Sequence, residues 1–272
     1  MRLSVQATIL MLLMLIVFSC TGRGRGANKY LAEAEEAYKA GNYSIAKLKI
    51  DSIKTLFPKA FDEINSGFQL MQEVRMAENL RNIAFCDSML RENYNTLNEM
   101  LSRFDYVRDD RYQEFGEYHS KAYPHRNSLN QNGLRSAVSE KGDLSIESVL
   151  SGTSIRHNQI KVSSSDGSFA ETLVVTADGL NYRFNTLDKS YEIVRFGGND
   201  ENSVAQYIYT YRDKPITLHF IGNRTITTNL SQGAKDAVSH SFELSNLLKS
   251  IEQLKIEKEK SEVLIRYLES RK

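Results

Sequence analysis

The sequence predicts an α+β fold with a helical front, an antiparallel sheet of about seven short strands, and one long C-terminal helix. Three observations carry this reading. Apolar residues return every three or four positions from Tyr30 to Leu101. Beyond Gly133 the period changes to alternation, with turn residues at short, even intervals. From Ser231 to Lys272 a charged, proline-free run returns to helical spacing. Short gaps between strands leave no room for crossover helices, so neighbours must run antiparallel. Curvature of the sheet into a cup or barrel stays open at this point.

Ahead of the helices, Met1-Arg2-Leu3 carries one positive charge and Ile9 to Phe18 is unbroken apolar. A bilayer span needs roughly 20 apolar residues, so the run suits the apolar region of a secretory signal instead. Val17-Phe18-Ser19-Cys20 resembles the lipobox of bacterial lipoproteins. That resemblance implies cleavage before Cys20 and acylation of its thiol, and several acyl chains make a stable membrane tether. The competing reading is an ordinary signal in which Cys20 merely follows the apolar run. Residues 1–19 are thus expected to be the signal and 20–29 a flexible, Gly-rich, basic spacer. No aspartate follows Cys20 and no acidic cluster lies just downstream, so the lipoprotein pattern favours the periplasmic side of the outer membrane.

Residues 30–123 are expected to be helical. Ala34, Ala37 and Tyr38 share one face, Gly41-Asn42 ends the first helix, and Ala46, Ile50, Ile53 and Phe57 line the second up to Pro58. Tyr30, Ala34, Gly41, Tyr43, Ala46, Ile50 and Pro58 resemble one tetratricopeptide repeat, with departures at Glu33, Ala37 and Ile53. No second copy follows, so one hairpin of this kind must pack on another element. The partner is a long helix from Ala60 to Leu101, with Ile64, Phe68, Met71, Val74, Leu80, Ile83, Leu90 and Leu97 on its apolar face. Phe104, Tyr106, Tyr112, Phe115, Tyr118 and Tyr123 then interleave with charges. They suit either a sugar or peptide site or, as the favoured reading, a tyrosine-filled joint between helix and sheet.

Residues 124–133 form a polar connector, and 134–229 the β domain. Expected strands are 143–150, 159–163, 169–175, 181–184, 191–196, 216–221 and 225–228, with a short helix over 203–211 after the capping candidate Asp200. The last helix, 231–272, places Leu247, Ile251, Leu254, Ile265 and Leu268 on a heptad seam that Lys258 and Ser261 interrupt. Its first half is expected to pack on the protein itself, 255–262 to be solvated, and 263–268 to dock again or meet a partner. This layout, with Leu134-Arg135 to Gly152 and Glu171-Thr172, resembles a group of lipoproteins common in Bacteroidetes. The resemblance implies architecture and anchoring alone.

Charge is balanced, with 35 Lys plus Arg against 34 Asp plus Glu, so no global field recruits nucleic acid, which the expected compartment also excludes. With Cys20 acylated, Cys86 has no disulfide partner and is read as a buried small hydrophobe rather than a reactive thiol. His119, His125, His157, His219 and His240 are scattered, with no zinc spacing. Ser44-Ile45-Ala46-Lys47 fits an SxxK pattern without its companion motifs, and is set aside. Asp109, Asp110 and Glu114 sit among Arg108 and Arg111, as a surface charge mixture does. Asp51-Ser52-Ile53 and Asp87-Ser88-Met89 resemble a short O-glycosylation acceptor of Bacteroidetes secreted proteins, although both fall in expected helices.

No catalytic, metal or cofactor residue is therefore assigned, and Cys20 is the one site residue. The expected function is a non-catalytic, lipid-anchored scaffold that holds another envelope protein. A second expectation is a ligand-binding module for a glycan, peptide or lipid, with Tyr182, Phe184, Tyr191 and Phe196 lining a pocket in the sheet. A third is a hydrolase of unfamiliar site, which requires a nucleophile and base in hydrogen-bond reach.

Overall fold

The computed structural model describes residues 25–111, 113–123, 129, 131–176 and 181–271. The expected signal, Cys20 and the spacer as far as Gly24 lie outside them. Its helices are α1 (25–39), α2 (Tyr43–Leu56), α3 (Phe61–Leu101), α4 (Val204–Thr210) and α5 (Gln232–Glu269). Neither long helix is apolar enough to cross a membrane. The described residues form two compact units, 25–88 with 255–271, and a second within 89–254.

The first unit is helical. Gly41, at φ +74°, closes α1 as the left-handed residue of a Schellman cap, with Asn42 N–H donating to Ala37 O and Gly41 N–H to Tyr38 O. Ala34 and Ala37 of α1 and Ala46 and Ile50 of α2 bury against Leu70, Met71 and Val74 of α3. Small side chains allow this close approach. α1 is already helical at residue 25, with Ala27 fully buried and Gly26 against the Phe57 ring, so 25–29 packs rather than acting as a spacer. On α3 the hairpin covers the row that includes Gly67, Leu70, Met71 and Val74, which leaves the expected core residues Phe68 and Leu80 more than half exposed.

The seam of α5 is as spaced, yet its polar positions are not simply solvated. Ser261 is buried and accepts from Asn82 Nδ2 at 2.8 Å, and Lys258 Nζ donates to Asp87 Oδ1 at 2.6 Å. Polar groups on α3 thus match the interruption. Cys86 is buried beside them, as expected, and burial pushes its thiol pKa up.

The second unit holds two antiparallel sheets. The larger runs in the order β1-β2-β3-β4-β8-β7, from β1 (Phe104–Val107), β2 (Glu117–Ser120), β3 (Gly133–Ser139), β4 (Leu144–Ser151), β7 (Tyr182–Asn185) and β8 (Ser190–Gly197). The smaller runs β10-β9-β5-β6, from β5 (Gln159–Ser163), β6 (Phe169–Glu171), β9 (Thr217–Ile221) and β10 (Thr225–Asn229). Neither closes into a barrel, because each ends in edge strands. Between them Leu134, Ile146, Leu150, Val194 and Phe196 meet Ile160, Val162, Leu218 and Phe220, with α4 and the start of α5 closing the core.

Three strands lie where none was expected. β1 and β2 fall inside the supposed helical region to 123, and Tyr106 and Tyr118 are cross-strand partners with ring centroids 5.4 Å apart. Tyr106 and Tyr118 therefore belong to strands, and Phe104 and Tyr118 also pack against Leu97, Met100 and Leu101 at the end of α3, which is the expected joint between helix and sheet. β3 is buried along both faces except at its end, so it lacks the alternation that marks a half-exposed strand. The short helix α4 follows a 3₁₀ turn at Gly198–Glu201, and the Glu201 carboxylate, not Asp200, accepts from the backbone N–H of Ser203 and Ala205.

Candidate functional site

The strongest polar constellation sits in the β unit. β4 runs apolar inward at Ile146 and Leu150, and the residue between them on that face is Ser148. β8 places Glu192 on the same face, two residues before Val194. The loop after β4 brings in His157. Ser148 Oγ lies 2.7 Å from His157 Nε2, and His157 Nδ1 lies 2.7 Å from Glu192 Oε2. With Nδ1–H donating to the carboxylate, Nε2 is left to accept the Ser148 hydroxyl.

This is the order of a nucleophile, base and orienting acid. Its environment differs from that of an open active site, since Ser148 and His157 are fully buried and Glu192 is 1% exposed. The hydroxyl is closed to any substrate in this geometry, and Val194 O, 3.3 Å from Oγ, is the other acceptor within reach of its single proton. The His157 ring packs edge-on to Phe220.

Glu192 instead organises a loop. Its Oε1 accepts from Ser154 Oγ and from the backbone N–H of Ile155 and Arg156 at 2.7, 3.1 and 2.7 Å. Its Oε2 accepts from the backbone N–H of His157 at 3.0 Å. Burial raises the Glu192 pKa, but the bonds from His157, Ser154 and the loop backbone outweigh it and hold it down to about 2. The other side of the loop meets the β9–β10 turn. Asn223 N–H donates to Ile155 O, and Gly222 approaches so closely that a Cβ there would lie 2.8 Å from the His157 backbone.

Outside this sealed relay, Arg156, Asn158, Val174, Val175, Thr176 and Arg183 line a cleft of about 530 Å³. Arg183 stands opposite Glu192 in the β7–β8 ladder and donates to His157 O at 3.1 Å. The helical unit has a separate groove of about 830 Å³, framed by Tyr38, Phe68, Met76, Ala77, Leu80 and Leu268. Phe68, Gln72, Met76 and Leu80 form one i+4 ridge of α3 along it, and Gln72 Oε1 is buried there with no hydrogen-bond partner among the described residues.

Among the residues singled out from sequence, Cys20 lies outside the described residues. The four sheet aromatics do not line one pocket. Phe184 stacks on Tyr191 at 5.0 Å and Tyr182 is 56% exposed, whereas Phe196 points into the core from the opposite face of β8. Lys47 bonds Glu78 rather than Ser44, and Arg108 and Arg111 pair with Asp110 and Asp109. Three of the scattered histidines each meet a serine: His157 with Ser148, His219 with Ser163 at 2.9 Å and His240 with Ser120 at 3.4 Å. Burial lowers the pKa of His219 and His240. Among the described residues no three His, Cys, Asp or Glu side chains gather as a metal site.

Comparison with protein-family models finds no match, and comparison with curated proteins and with solved structures finds none either.

Proposed function

We propose that this chain is a lipid-anchored, non-catalytic binding protein of the bacterial cell envelope. Cys20 carries the acyl chains on the periplasmic side of the outer membrane, and the helical unit grips another envelope protein.

The observation that carries this reading is the groove of the helical unit. Phe68, Met76, Ala77, Leu80 and Leu268 give it an apolar stripe beside Gln69, Glu73 and Arg271, Phe68 and Leu80 are 59% and 54% exposed, and the Gln72 acceptor, unpaired among the described residues, calls for a donor from outside. An i+4 ridge beside a trough accepts the apolar face of an amphipathic helix, and a partner helix carrying one hydroxyl or amide donor satisfies Gln72. The sealed serine relay and its loop-holding carboxylate fit a structural role for the one arrangement that resembles catalytic machinery.

Affinity capture from membranes with the lipid retained tests the proposal when the wild-type chain is compared with Phe68→Glu combined with Leu80→Glu. Both side chains are exposed, so the variant keeps its fold. Recovery of the same polypeptide with the wild type, reduced at least about tenfold by the variant, supports the reading. Equal recovery with both, or none with either, contradicts it.

A further inference from the structure

We propose that the cleft of the β unit binds a small carboxylate that carries a short apolar substituent, held by Arg156 and Arg183.

The first argument is backbone conformation. Arg156 has φ +54°, a left-handed conformation that costs an ordinary side chain about 1–2 kcal/mol and that glycine adopts freely. The buried Glu192 enforces it by accepting three consecutive backbone N–H groups, from Ile155, Arg156 and His157. Folding alone is better served by glycine at this position. An arginine there sets a guanidinium on the cleft wall at the expense of stability, and strain of this kind collects at sites that bind.

The second argument is charge. Arg156 is exposed and has no ion pair with any described carboxylate, while Arg183 spends one nitrogen on His157 O and lies 3.9 Å from Glu192 Oε1. Glu192 is already engaged by its donors and faces the loop, so it does not neutralise both guanidinium groups. Asn158 lines the same cleft and adds an amide. Two planar forks suit a carboxylate, which each can meet through paired N–H donors.

The third argument is the apolar part of the lining. Val174 is 61% exposed and the neighbouring Val175 also lines the cleft, so an apolar arm on the ligand would cover surface now in contact with water. A cleft of about 530 Å³ falls in the range of small-molecule sites. This site lies in the β unit and is independent of the helical groove.

The test is titration of the full-length chain with N-acetyl-leucine and, separately, with inorganic phosphate, followed by calorimetry and by the amide resonances of residues 155–158. N-acetyl-leucine is expected to saturate in the millimolar range or tighter and to bind more strongly than phosphate. Arg156→Gly should raise thermal stability, because it relieves the left-handed strain, and yet weaken N-acetyl-leucine at least about tenfold. Arg156→Lys should bind at an intermediate level. Absence of saturation, unchanged binding in Arg156→Gly, or phosphate binding as tightly as N-acetyl-leucine overturns the proposal.

Discussion

His157 Nδ1 lies 2.7 Å from Glu192 Oε2, and the backbone N–H of the same histidine donates to that oxygen at 3.0 Å. One carboxylate thereby holds both the ring and the main chain of His157, together with Ser154, Ile155 and Arg156 before it. Removing its charge strips several donors of their acceptor inside a closed core. Glu192→Gln keeps the size but turns an amide NH₂ toward backbone N–H groups. A loss of about 3–5 kcal/mol is expected in urea unfolding, the cost of breaking a buried charge-assisted set.

The same group predicts acid sensitivity. The Glu192 pKa falls from an ordinary 4.5 to about 2 in the folded chain. A depressed carboxyl stabilises the fold fully above its unfolded value and loses that contribution as pH falls from near 4.5 through about 2. The contribution is on the order of 3 kcal/mol. Unfolding free energy measured across this window should decline in the wild type, and the part due to Glu192 should be missing from Glu192→Gln.

Gly222 is expected to be intolerant of any side chain. A Cβ there would meet the Ile155 carbonyl and come within 2.8 Å of the His157 backbone, and no flexible side-chain end can yield. Gly222→Ala should therefore destabilise by about 2 kcal/mol or more, with amides 155–158 losing hydrogen-exchange protection first. A Cβ at Gly152 would meet no described atom within 4 Å beyond its chain neighbours, and only the positive φ opposes alanine, so Gly152→Ala should cost about 1 kcal/mol.

The polar step in the α5 seam gives a smaller effect. Ser261→Ala leaves the Asn82 amide without its 2.8 Å acceptor and should cost about 1 kcal/mol. Adding Asn82→Leu should recover most of that loss, since both polar groups are then gone.

Much of the helical architecture was legible in the sequence because its signals are local. Gly41 and Pro58 punctuate the hairpin, and the Ala34, Ala37, Ala46 and Ile50 faces emerge as buried rows. The α5 seam was spaced correctly, although what faces Lys258 and Ser261 depends on Asp87 and Asn82, far away in the chain. β1 and β2 escaped notice because four-residue strands mixed with charges show no period, and β3 because it is covered on both faces. The relay was invisible for a different reason. Ser148, His157 and Glu192 fall at no local spacing, and only the β4–β8 ladder and the turn at Gly222 bring them together. Positive φ at Arg156 likewise leaves no mark in composition, since glycine is the residue that signals it.

The anchor and the groove make the last pair of expectations. Cys20→Ser should leave the chain unprocessed and release it from the lipid fraction in a carbonate wash, because the thiol is the acceptor that the lipobox resemblance requires. The most direct measurement of the central claim is photocrosslinking in intact cells with the reactive side chain placed at Phe68, on the groove, and in parallel at Leu187, fully exposed on the β unit. One discrete adduct with an envelope protein from position 68, absent from position 187, is the predicted result. No adduct at 68, or the same adduct from both positions, contradicts partner binding through the helical groove.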